Sequence, residues 1–199
     1  MKTILKEGYQ KILTLFYDDK SVEIHLREIA RMTKLNENSA SIFLKKLEVM
    51  NYLKSQKEGN LKKYGLNHNQ RTYSVLTLFD IEKFQTLPGI RKEAIQRYFQ
   101  KLHEKPIFAI LFGSTAKENY RQDSDIDLLV ITNKKISTKE AEKEADALCA
   151  IKISTFQMTW NDFQREIKLK EDAVVQSALQ TGYPLINHIY YYEVLNERI

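Results

Sequence analysis

The chain has 199 residues, 43% of them hydrophobic and 29% charged, the make-up of one large or two small folded domains, which excludes a disordered or fibrous protein. Its longest apolar runs, such as "PIFAILFG", fall far short of the ~20 residues a membrane-spanning helix needs, no signal-peptide core opens it, and a single cysteine, Cys149, rules out an internal disulfide; these features indicate a cytoplasmic protein with no membrane partner. The net charge of +5 is uneven, because residues 1–75 hold 14 Lys and Arg against 8 acids whereas 76–199 hold 17 against 18, so the two halves are expected to meet different partners.

In chain order, "EGYQKILTLFYDD" spaces Ile12, Leu13, Leu15 and Phe16 along one side of a helix, and "HLREIARMTKLN" does so with Leu26, Ile29, Ala30 and Leu35. A third segment, "NENSASIFLKKLEVMNYL", offers Asn36 or Asn38 as a side-chain cap and predicts burial of Ile42, Phe43, Leu44 and Leu47. "YLKSQKEGNLKKYGLN" then predicts a β-hairpin turning at Glu58-Gly59-Asn60. Three helices and a hairpin make a winged helix-turn-helix. In that arrangement the third helix lies in the major groove of double-stranded DNA, with Asn38, Ser39, Ser41, Lys45 and Lys46 near bases or phosphates. Lys54, Lys57, Lys62 and Lys63 bring the hairpin's charge to the backbone and give salt-sensitive affinity. Arg27 and Arg31 read as surface or phosphate contacts. The same fold also serves as a dimerisation or protein-docking module, and both uses stay open, a homodimer included.

"RTYSVLTLFDIEKFQTL" predicts a packed helix coupling the two parts, and Pro88-Gly89 is the strongest break in the chain. "IRKEAIQRYFQKLHEK" follows as a helix expected to bury Ile90, Ala94, Ile95, Tyr98 and Phe99. The expected organisation is therefore a winged helix-turn-helix domain over 1–75, connecting helices over 76–105 and a third part over 106–199.

In that third part "PIFAILFG" reads as a strand ending at Gly113, "STAKENY" as a helix capped by Ser114, and "DIDLLVIT" as a second strand. Strand side chains alternate, so Asp125 and Asp127 share a face. Gly113 would let the backbone approach a phosphate, the helix start would offer free N–H groups, and a divalent ion held by the two aspartates would bridge to a triphosphate. The four histidines are scattered without metal-ligand spacing, and Trp160, Phe163, Tyr190, Tyr191 and Tyr192 are expected to pack the C-terminal helices.

At "LFGSTAKENYRQDSDIDLLV" the sequence resembles the nucleotidyltransferase superfamily that includes DNA polymerase beta, in particular its minimal members, whose signature is hydrophobic-Gly-Ser, a spacer and Asp-hydrophobic-Asp. The resemblance covers roughly 106–199, includes the closing stretch "ALQTGYPLINHIYYYEVL", and makes the fold class α+β: a winged helix-turn-helix followed by a small mixed-sheet nucleotidyltransferase fold. It implies that Gly113 and Ser114, with Lys117, hold the phosphates of a nucleoside triphosphate. It implies equally that Asp125 and Asp127 hold Mg2+ or Mn2+ during transfer of a nucleotidyl group to an acceptor.

Two departures stand out. Family members usually carry a third carboxylate on a later strand, here "KISTFQMTW", where Ser154, or less well Gln157, takes its place. Asp123 is the best substitute if its strand begins early, ahead of Asp162 and Glu118. Lys117 and Glu118 also stand where Arg and Gly are usual. Two functions follow: an enzyme that moves NMP to a protein or small acceptor, or a regulator with an antitoxin-like role that binds DNA and uses the transferase fold to sense nucleotide or dock a toxin-like partner.

Overall fold

The computed structural model of the protein describes residues 5–196, which divide into two compact units at Glu82/Lys83. The first unit runs α1 (Glu7–Asp18), β1 (Ile24–His25), α2 (Leu26–Thr33), α3 (Glu37–Val49), β2 (Leu53–Glu58), β3 (Leu61–Leu66) and most of α4 (Gln70–Thr86), with an antiparallel sheet in the order β1-β3-β2. Ile12, Leu13 and Phe16 of α1, Ile29 and Ala30 of α2, and Leu44 and Leu47 of α3 are all buried. Gly8 lets α1 lie against α3, because a methyl group there would overlap the Phe43 ring. Tyr17 donates a buried 2.8 Å hydrogen bond to Asp80 Oδ1, tying α1 to α4.

Local chemistry sets the boundaries. Asn36, not Asn38, caps α3 by accepting the Ser39 N–H at 2.8 Å. Gly59 and Asn60 form the two-residue hairpin loop, and Gly59, at φ 60°, takes the left-handed conformation that its place in such a turn requires. Ile42 departs from expectation: it is 56% exposed. The buried stripe of α3 runs through Ala40, Leu44 and Leu47, and a residue two places from Ala40 points about 200° away around the helix.

The second unit continues through α5 (Gly89–Lys101), β4 (Phe108–Phe112), α6 (Gly113–Ala116), β5 (Ile126–Thr132), α7 (Lys139–Cys149), β6 (Ile153–Thr159), α8 (Trp160–Leu169), α9 (Ala173–Thr181), β7 (Tyr183–Ile186) and α10 (His188–Asn196). Its sheet has the order β6-β5-β4-β7 and is mixed, since β5 and β6 are parallel and the other pairs antiparallel. A parallel pair needs a long crossover, which α7 supplies.

On one face Ala109, Leu111, Ile126, Leu128 and Val130 pack with Ala94, Ile95 and Tyr98 of α5 and Ala141, Ala145 and Cys149 of α7. Burial pushes the Cys149 thiol up, in keeping with an inert core residue. On the other face Phe108 meets Trp160, Phe163 and Tyr191 edge-on, so the C-terminal aromatic residues pack there as expected, with Phe163, Tyr191 and Tyr192 buried and Tyr190, 42% exposed, lying against Trp160. Ile90 again departs from expectation at 50% exposed. The buried stripe of α5 begins instead with Arg91, in phase with Ala94, Ile95 and Tyr98.

Candidate functional site

The end of β4 and the start of β5 lie side by side because the antiparallel register pairs Phe112 with Asp127. Immediately beyond, Gly113 adopts φ 69°, a conformation that costs an L side chain about 1–2 kcal/mol. A Cβ there would overlap Asp127 Oδ2 and stand 3.0 Å from Asp127 Cγ. The carboxylate therefore rests directly on the glycine backbone.

Ile126 and Leu128 of β5 are fully buried while Asp127, and Asp125 just ahead of the strand, are half-buried, as the alternation predicts. In the parallel neighbour β6, Ser154 pairs in register with Asp127. One step earlier the Ile126 N–H donates to the Lys152 carbonyl at 2.9 Å, and Lys152 Nζ stands 3.1 Å from Asp125 Oδ2.

Burial, with the Asp125 charge adding to it, raises the Asp127 carboxyl above the ordinary aspartate value. A carboxylate raised in this way costs the fold stability once pH passes its ordinary value of 3.8, and the cost is complete above its folded value. Asp127→Asn should therefore melt higher than the parent at neutral pH without divalent cations, and the gap should close as pH falls below that ordinary value. Thermal melts across pH measure this; an equal or lower melting temperature for the variant at neutral pH would contradict it.

Several expected neighbours stand elsewhere. Ser114 caps nothing: α6 is a single turn whose N-cap is Phe112 with no side-chain cap, closed by Lys117 N–H to the Gly113 carbonyl at 3.2 Å and followed by Glu118 at φ 57°. So short a turn has little macrodipole. Ser114 is half-buried and Lys117 exposed, one turn past Gly113. Asp123 lies exposed in a turn ahead of β5, which begins only at Ile126, so it does not join the pair's face. Gln157 pairs with Val130 and shares that residue's face rather than that of Asp127. Asp162 accepts from Thr159 at the start of α8, and Glu118 from Thr86. Among the described residues no group of three or more His, Cys, Asp or Glu side chains gathers where a metal could sit.

Sequence reasoning overlooked Arg91. It is 2% exposed, and its guanidinium donates to Thr115 Oγ1 at 2.9 Å, to the Arg121 carbonyl at 3.1 Å and to the Ser124 carbonyl at 2.9 Å, while lying 4.0 Å from the centre of the Tyr120 ring. Thr115 Oγ1 in turn donates to the Asp125 carbonyl at 3.4 Å. One buried cation thus holds both the turn after Gly113 and the loop entering Asp125. Its heptad phase with Ala94 and Tyr98 was the available signal.

In the first unit Asn38, Ser41 and Lys45 are exposed on one face of α3 together with Ile42, and Lys46 is exposed beside them; Ser39 is half-buried and its N–H is taken by the cap. Lys54 and Lys57 are exposed on β2. Lys62 pairs with Glu48 at 2.8 Å and holds that carboxyl below its usual range, and Lys63 pairs with Glu58 at 2.6 Å.

Residues 93–186 match the family model for Polymerase beta, Nucleotidyltransferase, from within α5 to the end of β7. No curated protein matches the chain. Three solved structures are similar in part. AF1382 from Archaeoglobus fulgidus is 19% identical over 43% of this chain and 94% of its own, with a TM-score of 0.37. A toxin-antitoxin structure with AMP-PNP is 16% identical over 53% of this chain and 82% of its own, at 0.40. TrmBL2, described as an archaeal chromatin protein with a novel mode of DNA binding, is 13% identical over 81% of this chain and 75% of its own, at 0.25.

Proposed function

From the premise that residues 93–186 are a polymerase beta-type nucleotidyltransferase domain, we propose that the protein transfers NMP from a nucleoside triphosphate to an acceptor in a metal-dependent reaction. In this reading the N-terminal unit is a winged helix-turn-helix that addresses the enzyme to double-stranded DNA. The observation that carries the proposal is the seating of Asp127 on the bare Gly113 backbone, with Asp125 on the same face. A side chain at Gly113 would destroy both the carboxylate position and the room for a phosphate.

The donor set fits Mg2+ or Mn2+, because hard carboxylate oxygens open to phosphate are what these ions prefer, and because a divalent cation offsets both the burial and the Asp125 repulsion that raise Asp127. Asp125 and Asp127 would hold the ion. When bound, it supplies charge neutralisation at the polyphosphate and the departing pyrophosphate. The chain itself contributes the Gly113 turn for close approach, the Ser114 hydroxyl and N–H as phosphate donors, and Lys117 as a mobile positive charge. Arg91 fixes the loop that orients Asp125. Catalysis then rests on positioning and charge rather than on a protein base.

Incubation with labelled nucleoside triphosphates, Mg2+ or Mn2+ and lysate should yield a labelled acceptor, with Asp125→Asn at background. Equal labelling by parent and variant would defeat the enzymatic reading.

A second reading is favoured by Ser154, the neutral register partner of Asp127. In it the domain is a weak or inactive transferase that senses nucleotide or docks a protein, within a transcriptional regulator of antitoxin-like role. The α3 face would then do the work: Asn38 and Ser41 offer hydrogen bonds, Ile42 an apolar contact to thymine methyls, and Lys45 and Lys46 charge. Gel shifts on the DNA upstream of its own gene separate the parts. Lys45→Ala and Lys57→Ala should each lower the salt slope by about one, whereas Lys62→Ala, already committed to Glu48, should change it less. Salt-independent binding would reject DNA recognition by this unit.

A further inference from the structure

We propose that Ser154 is itself an acceptor, so that the site transfers NMP onto the Ser154 hydroxyl of its own chain. The inference rests on the nucleotidyltransferase reading and names an acceptor for that site.

Three observations place the hydroxyl. The parallel register sets Ser154 beside Asp127, one strand spacing of ~4.8 Å away. Its neighbour Ile153 is buried in the core with α5 and α7, so strand alternation turns Ser154 to the opposite face, the one that carries Asp127. Finally, β6 is the outer strand of its sheet, and Ser154 is exposed with no hydrogen-bond partner for its hydroxyl among the described residues. The other hydroxyls around the Gly113 turn have work elsewhere. Thr115 is fully buried between Arg91 and the Asp125 carbonyl, Ser124 Oγ accepts the Arg121 N–H at 2.9 Å, and Ser114 belongs to the turn that would hold the phosphates.

The site's poverty in acidic groups favours a built-in acceptor over a dissolved one. Among the described residues no third His, Cys, Asp or Glu side chain gathers with the aspartate pair, so an acceptor arriving from solution would have to bind and be oriented with no further base to help it. A hydroxyl fixed on a strand is already positioned, and well-oriented groups act at effective molarities of ~10⁵ M or more, far beyond any dissolved acceptor. In the step, a lone pair of Ser154 Oγ forms a bond to the α-phosphorus of the nucleoside triphosphate. The bond from that phosphorus to the oxygen bridging the β-phosphate breaks, pyrophosphate leaves with the electron pair, and the hydroxyl proton passes to water. The product is a serine–NMP phosphodiester at the mouth of the site, so each chain reacts once.

The test incubates the purified full chain, with no other protein present, with nucleoside triphosphates and Mg2+ or Mn2+, followed by intact mass and peptide mapping. The parent should gain one NMP per chain on the peptide that contains Ser154, at a rate per chain that does not change with protein concentration. Ser154→Ala should gain none there, and Ser154→Thr, which keeps the hydroxyl, should retain the modification. The melting temperature of the parent with Mg2+ and a non-hydrolysable ATP analogue reads nucleotide binding separately. A parent that binds the analogue but carries no NMP on Ser154, or a rate that climbs with protein concentration, would overturn the self-transfer and leave the nucleotidyltransferase reading standing. A parent with neither modification nor a melting shift would overturn both.

Discussion

Arg91→Ala is expected to lower stability by about 2–4 kcal/mol, since it removes three hydrogen bonds from a charged donor and strands their acceptors in partly buried surroundings. The guanidinium is 2% exposed and reaches Thr115 Oγ1 and the Arg121 and Ser124 carbonyls. For a unit of this size the melting temperature should fall by roughly 10 °C. Arg91→Lys should recover little, because an ammonium cannot make the planar fork that three separated acceptors require. The same substitution should speed hydrogen exchange through the loop from Tyr120 to Asp125, whose two anchored carbonyls lose their donor. Calorimetry and hydrogen exchange on the parent and both variants provide the check. A fall of under a degree with unchanged loop exchange would show that the loop holds itself.

Gly113→Ala should act on the site more sharply than on the fold. The left-handed φ of 69° costs an alanine about 1–2 kcal/mol, and the added methyl falls on Asp127 Oδ2. The carboxylate must rotate away, so affinity for a divalent cation with nucleotide should drop by about 10- to 100-fold, the loss usual when the support of a metal ligand is disturbed. Titration calorimetry with Mn2+ and a non-hydrolysable ATP analogue measures this directly. An alanine variant with parental affinity would mean that the aspartate does not need its glycine seat.

What the sequence made legible was whatever local spacing determines. The Gly-Ser and Asp-Ile-Asp elements pointed to two adjoining strands, and Phe112 indeed pairs with Asp127. The alternation that put Asp125 and Asp127 on one face depends only on strand geometry, and the alignment of Ser154 with the pair, expected from the family resemblance, is met by the register of β6 on β5. Side chains whose place depends on the phase of a helix were less legible. Ile42 and Ile90 are apolar yet exposed, because Ala40 and Arg91 set the inward stripes of their helices. A hydropathy pattern counts Arg91 as surface, and only the three acceptors brought to it from distant segments make its burial tolerable. The Ser114 cap failed for a related reason. The helical turn starts at Gly113, one residue ahead of Ser114, and closes at Lys117 before the left-handed Glu118. Lys152 carried no motif at all; its pairing with Asp125 comes from a parallel strand register that no local pattern reveals.

The Asp125–Asp127 pair and the Gly113 turn together are expected to bind a metal-bound nucleotide. The most direct measurement is the melting temperature of the full chain with and without Mg2+ and a nucleoside triphosphate, set beside Asp125→Asn. At a ligand concentration of about 100 times its dissociation constant the parent should gain roughly 2.7 kcal/mol, a rise of several degrees that needs both ligands, while Asp125→Asn should show none. No rise in the parent, or an equal rise in the variant, would contradict it.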